Sequence, residues 1–352
     1  MKLPSKLTKK HAIAGVIILA LAFGFGGWKI FANGTEETGG TDETGGGEEV
    51  ESPVFRHPLS GLQVSEDLSI LPRVYAVMID NSVDAWPPSG VDRAFLVIEA
   101  PVEASIPRFE AFFSADTDVE KIGPVRSARP YFIDWANEFD ALYAHVGGSN
   151  AALDLIASTG TFDLNEFYNG VFFWRSSDRY APHNTYTSTA LLAAAVAKAE
   201  ERGRAPETLY GTWKFIDDEK SEDGEKKGVT VQYNSALYSV HWEYDAETNA
   251  YLRSQGGREA KTADGTRLTA NNIVVMVTDV AVLDSVGRRS VRTTGEGKAW
   301  LLQDGKTIEI TWKKPSVSER LAFYDADGNQ VAMGAGNTWI EVIPSEKDVS
   351  IN

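Results

Sequence analysis

Arg-Val-Tyr-Ala-Val-Met-Ile-Asp (residues 73–80) and Ala-Phe-Leu-Val-Ile-Glu-Ala (residues 94–100) decide the fold. Each is a short, nearly continuous apolar run, the pattern of a strand covered on both faces. Between them residues 81–93, with Pro87-Pro88-Ser89-Gly90, read as a loop. A third strand is expected at residues 108–114, where Phe109, Ala111 and Phe113 alternate with Arg108, Glu110 and Phe112.

Downstream, helices join the strands. Pro130 stands where a first helical residue belongs, and Tyr131, Trp135 and Phe139 then recur at helical spacing. Residues 141–146 read as a strand, Gly147-Gly148-Ser149 as a turn and residues 150–158 as a helix. Thr187 or Ser188 can cap an alanine-rich helix over residues 190–202, which Gly203 ends. After a polar, charged stretch the pattern changes to strands rich in β-branched and aromatic residues, at 229–233, 238–244, 273–278, 299–302, 307–312 and 338–343. Asp304-Gly305 and Asp327-Gly328-Asn329 mark tight turns. The expected class is therefore α+β: an N-terminal α+β domain with a mixed sheet (53–203), a charged linker (204–228) and a smaller β-rich C-terminal domain (229–352).

The amino-terminal end is of a different kind. Lys2, Lys6, Lys9 and Lys10 precede an uncharged apolar stretch, residues 12–28. Counted on to Phe31, with Lys29 snorkelling, it makes a helix of roughly 30 Å, about the thickness of a bilayer core. Basic residues before it and acidic ones after it predict a cytoplasmic tip and single-pass anchor over residues 1–33, with the main body outside. Phe31 in Ile30-Phe31-Ala32 argues against a cleaved signal peptide. Residues 34–52 are Gly, Thr and acids with almost nothing to bury, a disordered spacer. With no cysteine in the chain, disulfides, thiol nucleophiles and a lipid anchor on cysteine are excluded.

The formal charge is −16, and the five lysines of the first 33 residues face no acid there, so the outer part is more acidic still. Such a field repels polyphosphate, and nucleic acid is not an expected partner. Against that background Arg108, Arg126, Arg129, Arg175 and Arg179 stand out. The guanidinium fork suits carboxylate and phosphate. His145, His183, Asn184 and the amides of Gly147, Gly148 and Ser149 can complete an anion site, with Glu103 at the end of the second strand as a base or ion-pair partner. Trp174 or Tyr180 can stack on a sugar ring. The histidine spacing gives no metal pair, Asp325-Ala-Asp327-Gly328-Asn329 departs from the EF-hand pattern, and neither metal nor cofactor is expected.

Tyr75-Ala-Val-Met-Ile-Asp80-Asn81, Glu99-Ala-Pro-Val-Glu103, Gly123-Pro-Val-Arg126-Ser-Ala-Arg129, Ala181-Pro-His183-Asn184 and the closing Gly297-Lys-Ala-Trp300 and Asn337-Thr-Trp339-Ile340 resemble the YerB family of bacterial envelope proteins. The resemblance covers residues 53–344. It implies an α+β domain and a smaller C-terminal domain outside the cytoplasmic membrane. Family members are commonly lipoproteins, and this chain departs from them in having no cysteine and an apolar anchor. No catalytic role is implied. Ser105-Ile-Pro-Arg108 and Gly147-Gly148 are also similar to enzymes of the LytR-CpsA-Psr family, which attach phosphoglycans to cell wall, although Phe109 stands where those enzymes carry an acid.

The expectation is thus a membrane-anchored extracytoplasmic protein that binds an anionic small molecule or glycan of the envelope, with any protein partner unidentified. No catalytic motif is present, so binding is favoured over the alternative of an envelope phosphoglycan transferase or hydrolase. A scaffold without a small ligand is the remaining alternative.

Overall fold

The computed structural model describes residues 54–352 apart from 69, 206–207, 218, 221–227 and 234. The apolar stretch at 12–28 and the spacer at 34–52 lie outside the described residues. Among the described residues no helix is long and apolar enough to cross a membrane.

The two runs that decide the fold become β1 (Val74–Ile79) and β2 (Leu96–Pro101), and the third becomes β3 (Pro107–Ser114). Every residue of the three strands is buried, Arg108 and Glu110 included, because both faces of the sheet are covered. The chain continues through α1 (Pro130–Ala136), β4 (Leu142–His145), α2 (Asn150–Thr159), β5 (Asp163–Asn165), α3 (Glu166–Asn169) and α4 (Thr189–Glu200). Ser149 caps α2 and Ser188 caps α4, each accepting a bond from a backbone amide three residues on.

The second half supplies β6 (Val229–Gln232), β7 (Ser239–Asp245), β8 (Ala250–Gln255), β9 (Asn272–Val277), β10 (Gly295–Gln303), β11 (Lys306–Lys314), β12 (Ala322–Tyr324), β13 (Thr338–Ile343) and β14 (Val349–Ile351). The fold is mostly β, with few helices.

Ten strands form one mixed sheet in the order β12-β11-β10-β9-β13-β2-β3-β1-β4-β5. Five come from each half of the sequence. The seam is parallel: β13 pairs Thr338 with Leu96 through Glu341 with Glu99 on β2, and pairs parallel to β9 on its other side. The charged stretch at 204–228 therefore divides the sequence without dividing the sheet.

Alternation along the strands sends side chains to two cores. On one face Met78, Ile98 and Ile340 pack under α1 and α2, through Phe132, Trp135 and Ile156. On the other, Ile79, Phe109 and Trp339 pack under α4 and a second sheet. That second sheet is antiparallel: β14, β6, β7 and β8 in order, with short strands Arg258–Glu259 and Thr269–Ala270 both paired to β8. One face of it is wet, so β7 alternates, with Val240, Trp242 and Tyr244 buried. Trp242 and Trp339 join the sheets, their rings 5.2 Å apart.

Candidate functional site

The carboxyl end of β1 and the amino end of β3 place Asp80 and Arg108 on the α1 face of the sheet. The segment Gly123-Pro-Val-Arg126-Ser-Ala-Arg129 runs beside them before entering α1. It is held there by Asp80 N donating to Pro124 O (2.9 Å) and Arg126 N donating to Met78 O (2.8 Å). Three predicted arginines, Arg108, Arg126 and Arg129, are thereby gathered with Glu103, and His183 reaches the same spot from a distant loop.

Asp80 is the hub, its side chain 4% exposed. Its Oδ2 lies 2.7 Å from His183 Nδ1 and 3.0 Å from Arg126 Nε, and its Oδ1 accepts from Ser82 N (3.0 Å). Burial alone would raise its pKa, but the Arg108 charge, the Ser82 amide, Arg126 and His183 together hold it below the ordinary carboxylate value. Arg129 grips Glu103 with a two-pronged fork, Nε to Oε1 at 2.7 Å and Nη2 to Oε2 at 2.6 Å. Burial works against the Glu103 charge too, and the Arg129 bonds and charge outweigh it, so its pKa is also lowered.

Arg108 differs from its neighbours. It is buried, it donates Nη1 to Ser127 O (2.8 Å), and among the described residues it has no carboxylate within ion-pair distance. Burial, and after it repulsion from Arg129, push its pKa down to about 10, which leaves it charged at neutral pH. Arg126 Nε, although 3.0 Å from Asp80 Oδ2, makes no hydrogen bond there. Three guanidinium groups thus meet two carboxylates. Arg289, which no local pattern singles out, donates Nη2 to Ser105 Oγ (2.5 Å) two residues beyond Glu103.

The other predicted residues have different duties. His145 is fully buried with both ring nitrogens engaged, Nδ1 2.7 Å from Gly147 O and Nε2 2.5 Å from Asp163 Oδ1, so neither is free for a ligand. Gly147 has φ +58° and packs so closely on Phe167 that a Cβ would lie 2.7 Å from that ring. Its amide donates to Asn165, and the amide and hydroxyl of Ser149 are used by Ala128 and the α2 cap. Gly148 bridges Ala128. This turn joins a strand to a helix. Arg175 binds Glu166 (3.0 Å) and Asn184 (3.1 Å), and Arg179 donates to the carbonyls of Asp84 and Pro87. The Arg179 bonds strap the loop carrying Tyr180 and His183 across residues 84–87.

A chain of contacts outside the predicted set has the order of a nucleophile relay. Ser60 Oγ lies 3.3 Å from His57 Nδ1, and His57 Nε2 lies 3.1 Å from Asp116 Oδ2. The Leu59 amide donates to the same Nδ1 (3.3 Å), so that lone pair closes a turn and is not reserved for a hydroxyl proton. Among the described residues no cluster of side chains suits a metal ion.

On the opposite face of the sheet a cavity of about 370 Å³ lies between the loop after β1 and the end of β8. Arg253 lies on its floor. Its guanidinium donates to Glu99 Oε2 and to Gln255 Oε1, both at 2.6 Å, and sits 5.2–5.7 Å from the ring centres of Phe109, Trp242 and Trp339. Asn81 donates to Glu99 Oε1 (2.8 Å) and accepts from Trp86 Nε1 (2.7 Å). Contacts spanning 154 residues of sequence build this network, and no local pattern announces it.

Two sequence regions share one mixed sheet in this chain, and the chain belongs to an established two-domain family. Residues 59–207 match the N-terminal domain and residues 229–340 the C-terminal domain of a family described as "Protein of unknown function (DUF3048)". The chain is 32% identical over 299 residues to YerB of Bacillus subtilis (strain 168), whose name carries the word lipoprotein, covering 84% of this chain and 88% of that protein. The crystal structure of YerB superposes with a TM-score of 0.74 at 30% identity, over 84% of this chain and 99% of that one.

Proposed function

We propose that the chain is a membrane-anchored, extracytoplasmic binding protein that takes an acidic ligand of the cell envelope, a phosphorylated or carboxylated glycan, at Arg108, Arg126 and Arg129. The observation that carries this reading is the surplus of guanidinium over carboxylate. Arg108 is buried without an acid of its own, and Arg126 Nε is not spent on a hydrogen bond. An incoming anion supplies what both lack, and charge-assisted bonds of this kind are the strong ones. The apolar stretch at 12–28 supports the anchor, and the name of YerB supports an envelope location. Because the chain has no cysteine to carry a lipid, the apolar stretch is the segment proposed for the anchoring role.

Arg126→Gln tests the reading, because Asp80 retains His183 and Arg108 beside it. Phosphorylated and uronic-acid oligosaccharides are expected to raise the melting temperature of the wild-type protein by several degrees and to leave that of Arg126→Gln unmoved. Equal shifts in both proteins, or no shift with either glycan class, would remove the basis for this assignment.

A further inference from the structure

The cavity beside Arg253 is on the other side of the sheet from the arginine cluster. Alternation along β1 separates them, since Asp80 faces α1 while Asn81 faces the second sheet. The same holds for Arg108 and Phe109 on β3.

Three features of the cavity bear on what it can hold. Its volume, about 370 Å³, is within the range of small-molecule sites. One wall is apolar, made by Val83, Trp86, Pro87 and Leu268. Trp86 is held in place by its bond to Asn81 and by an edge-to-face contact with Tyr238, ring centres 6.0 Å apart. A pre-positioned indole of this kind receives a flat or aliphatic body with little loss of side-chain entropy.

The floor supplies the second feature. Arg253 Nε and Gln255 Nε2 are both buried donors, and neither has a hydrogen-bond partner. Arg253 is 1% exposed and Gln255 4%. Unmatched buried donors are uncommon in folded proteins, and two on adjacent side chains bordering one cavity call for an acceptor from outside the chain. The third feature is charge. Arg253 is balanced by Glu99, and Glu259 by Lys261 (2.7 Å). Arg258 at the rim has no acid within ion-pair distance among the described residues, which leaves the cavity one positive charge in excess.

The geometry points to a binding site for a small monocarboxylate with an apolar or ring-shaped body, its carboxylate directed at Arg253 and Gln255 and its body against Trp86. A planar two-oxygen acceptor matches two neighbouring N–H donors, and one negative charge matches the rim. A phosphate brings more charge than the site balances.

Isothermal titration of the full chain in detergent micelles, with N-acetyl-L-phenylalanine, its amide and phenyl phosphate as probes, tests the assignment. The carboxylate is expected to bind, and the amide and the phosphate to bind at least tenfold more weakly. Gln255→Leu and Trp86→Ala are each expected to weaken the carboxylate about tenfold or more, whereas Arg126→Gln leaves it unchanged. No heat with the carboxylate at millimolar concentration overturns the proposal, as does equal binding of the amide or binding indifferent to both cavity variants. Should either cavity variant fail to melt cooperatively, Gln255→Glu provides the reading, because an added negative charge on the floor must abolish carboxylate binding if the site is as described.

Discussion

Replacing Glu341 with glutamine is expected to stabilise the protein at pH 8 and to flatten its stability profile between about pH 4.5 and pH 8. Glu341, on β13, is fully buried between the two sheets, accepting from Trp242 Nε1 and from the Tyr233 hydroxyl, both at 2.8 Å. Burial, and after it the neighbouring Glu99 charge, push its pKa up to about 8, against which Arg253 and the two hydrogen bonds act. Below pH 4.5 the carboxyl is protonated in both folded and unfolded chains and contributes no pH dependence. Between 4.5 and 8 the unfolded chain releases the proton while the native protein keeps it, so stability falls as pH rises. The full loss, reached above pH 8, is on the order of 5 kcal/mol. Glutamine keeps an acceptor for Trp242 and offers an amide donor to the Tyr233 oxygen, while the Tyr233 hydroxyl turns to Glu99 O, 3.2 Å away. Urea unfolding of both proteins at pH 5, 6.5 and 8.5, followed by tryptophan fluorescence, measures the difference. Parallel profiles for the two proteins, or a glutamine variant weaker than wild type at pH 8.5, would refute the reasoning.

Two further outcomes follow from packing and pairing. Gly336 has φ +126°, and a Cβ there would fall 2.0 Å from Asn271 Oδ1, an atom already accepting from Asn337 N (3.2 Å). Gly336→Ala is accordingly expected to cost about 1–3 kcal/mol in urea unfolding, and a change below about 0.5 kcal/mol would contradict this geometry. Arg129→Gln leaves Glu103 without its fork and is expected to cost about 3 kcal/mol at pH 7. Because pairing lowers the Glu103 pKa, its contribution is present above the ordinary carboxylate range and lost as pH falls. The gap between Arg129→Gln and wild type must therefore narrow on acidification, and a gap of constant size would show that the ion pair is not its source.

The sheet was legible where burial on both faces left an unbroken apolar run, as at residues 73–80 and 94–100. Helix starts were legible where Ser149 and Ser188 mark them. The strand at Ala250–Gln255 was not, because Arg253, Ser254 and Gln255 read as surface residues until Glu99 and three aromatic rings surround the guanidinium. At the candidate site, arginines in an acidic chain pointed to Arg108, Arg126 and Arg129, and Ala-Pro-His183 pointed to the loop that meets Asp80. His145 and the Gly-Gly-Ser turn carried the same kind of signal yet serve local structure, since spacing alone does not separate a nitrogen offered to a ligand from one satisfied by Asp163 and a carbonyl. Asp80, the hub, stands in a family motif but carries no site signal of its own, because an acid ending a strand is ordinary until its partners, up to 103 residues away, are known.

The position of β13 has a bearing on how the molecule is made. This strand, near the carboxyl end of the sequence, is the central plank between β9 and β2. A chain emerging amino-end first holds every other strand of the large sheet before it holds this one. Until residues 338–343 arrive, β2 presents an open hydrogen-bonding edge, and Phe109 lacks the indole that covers it at 5.3 Å. Completion of the barrier between the two cores is thus a late event in biosynthesis, and a ribosome that stops short of Thr338 releases a product with its adhesive middle bare.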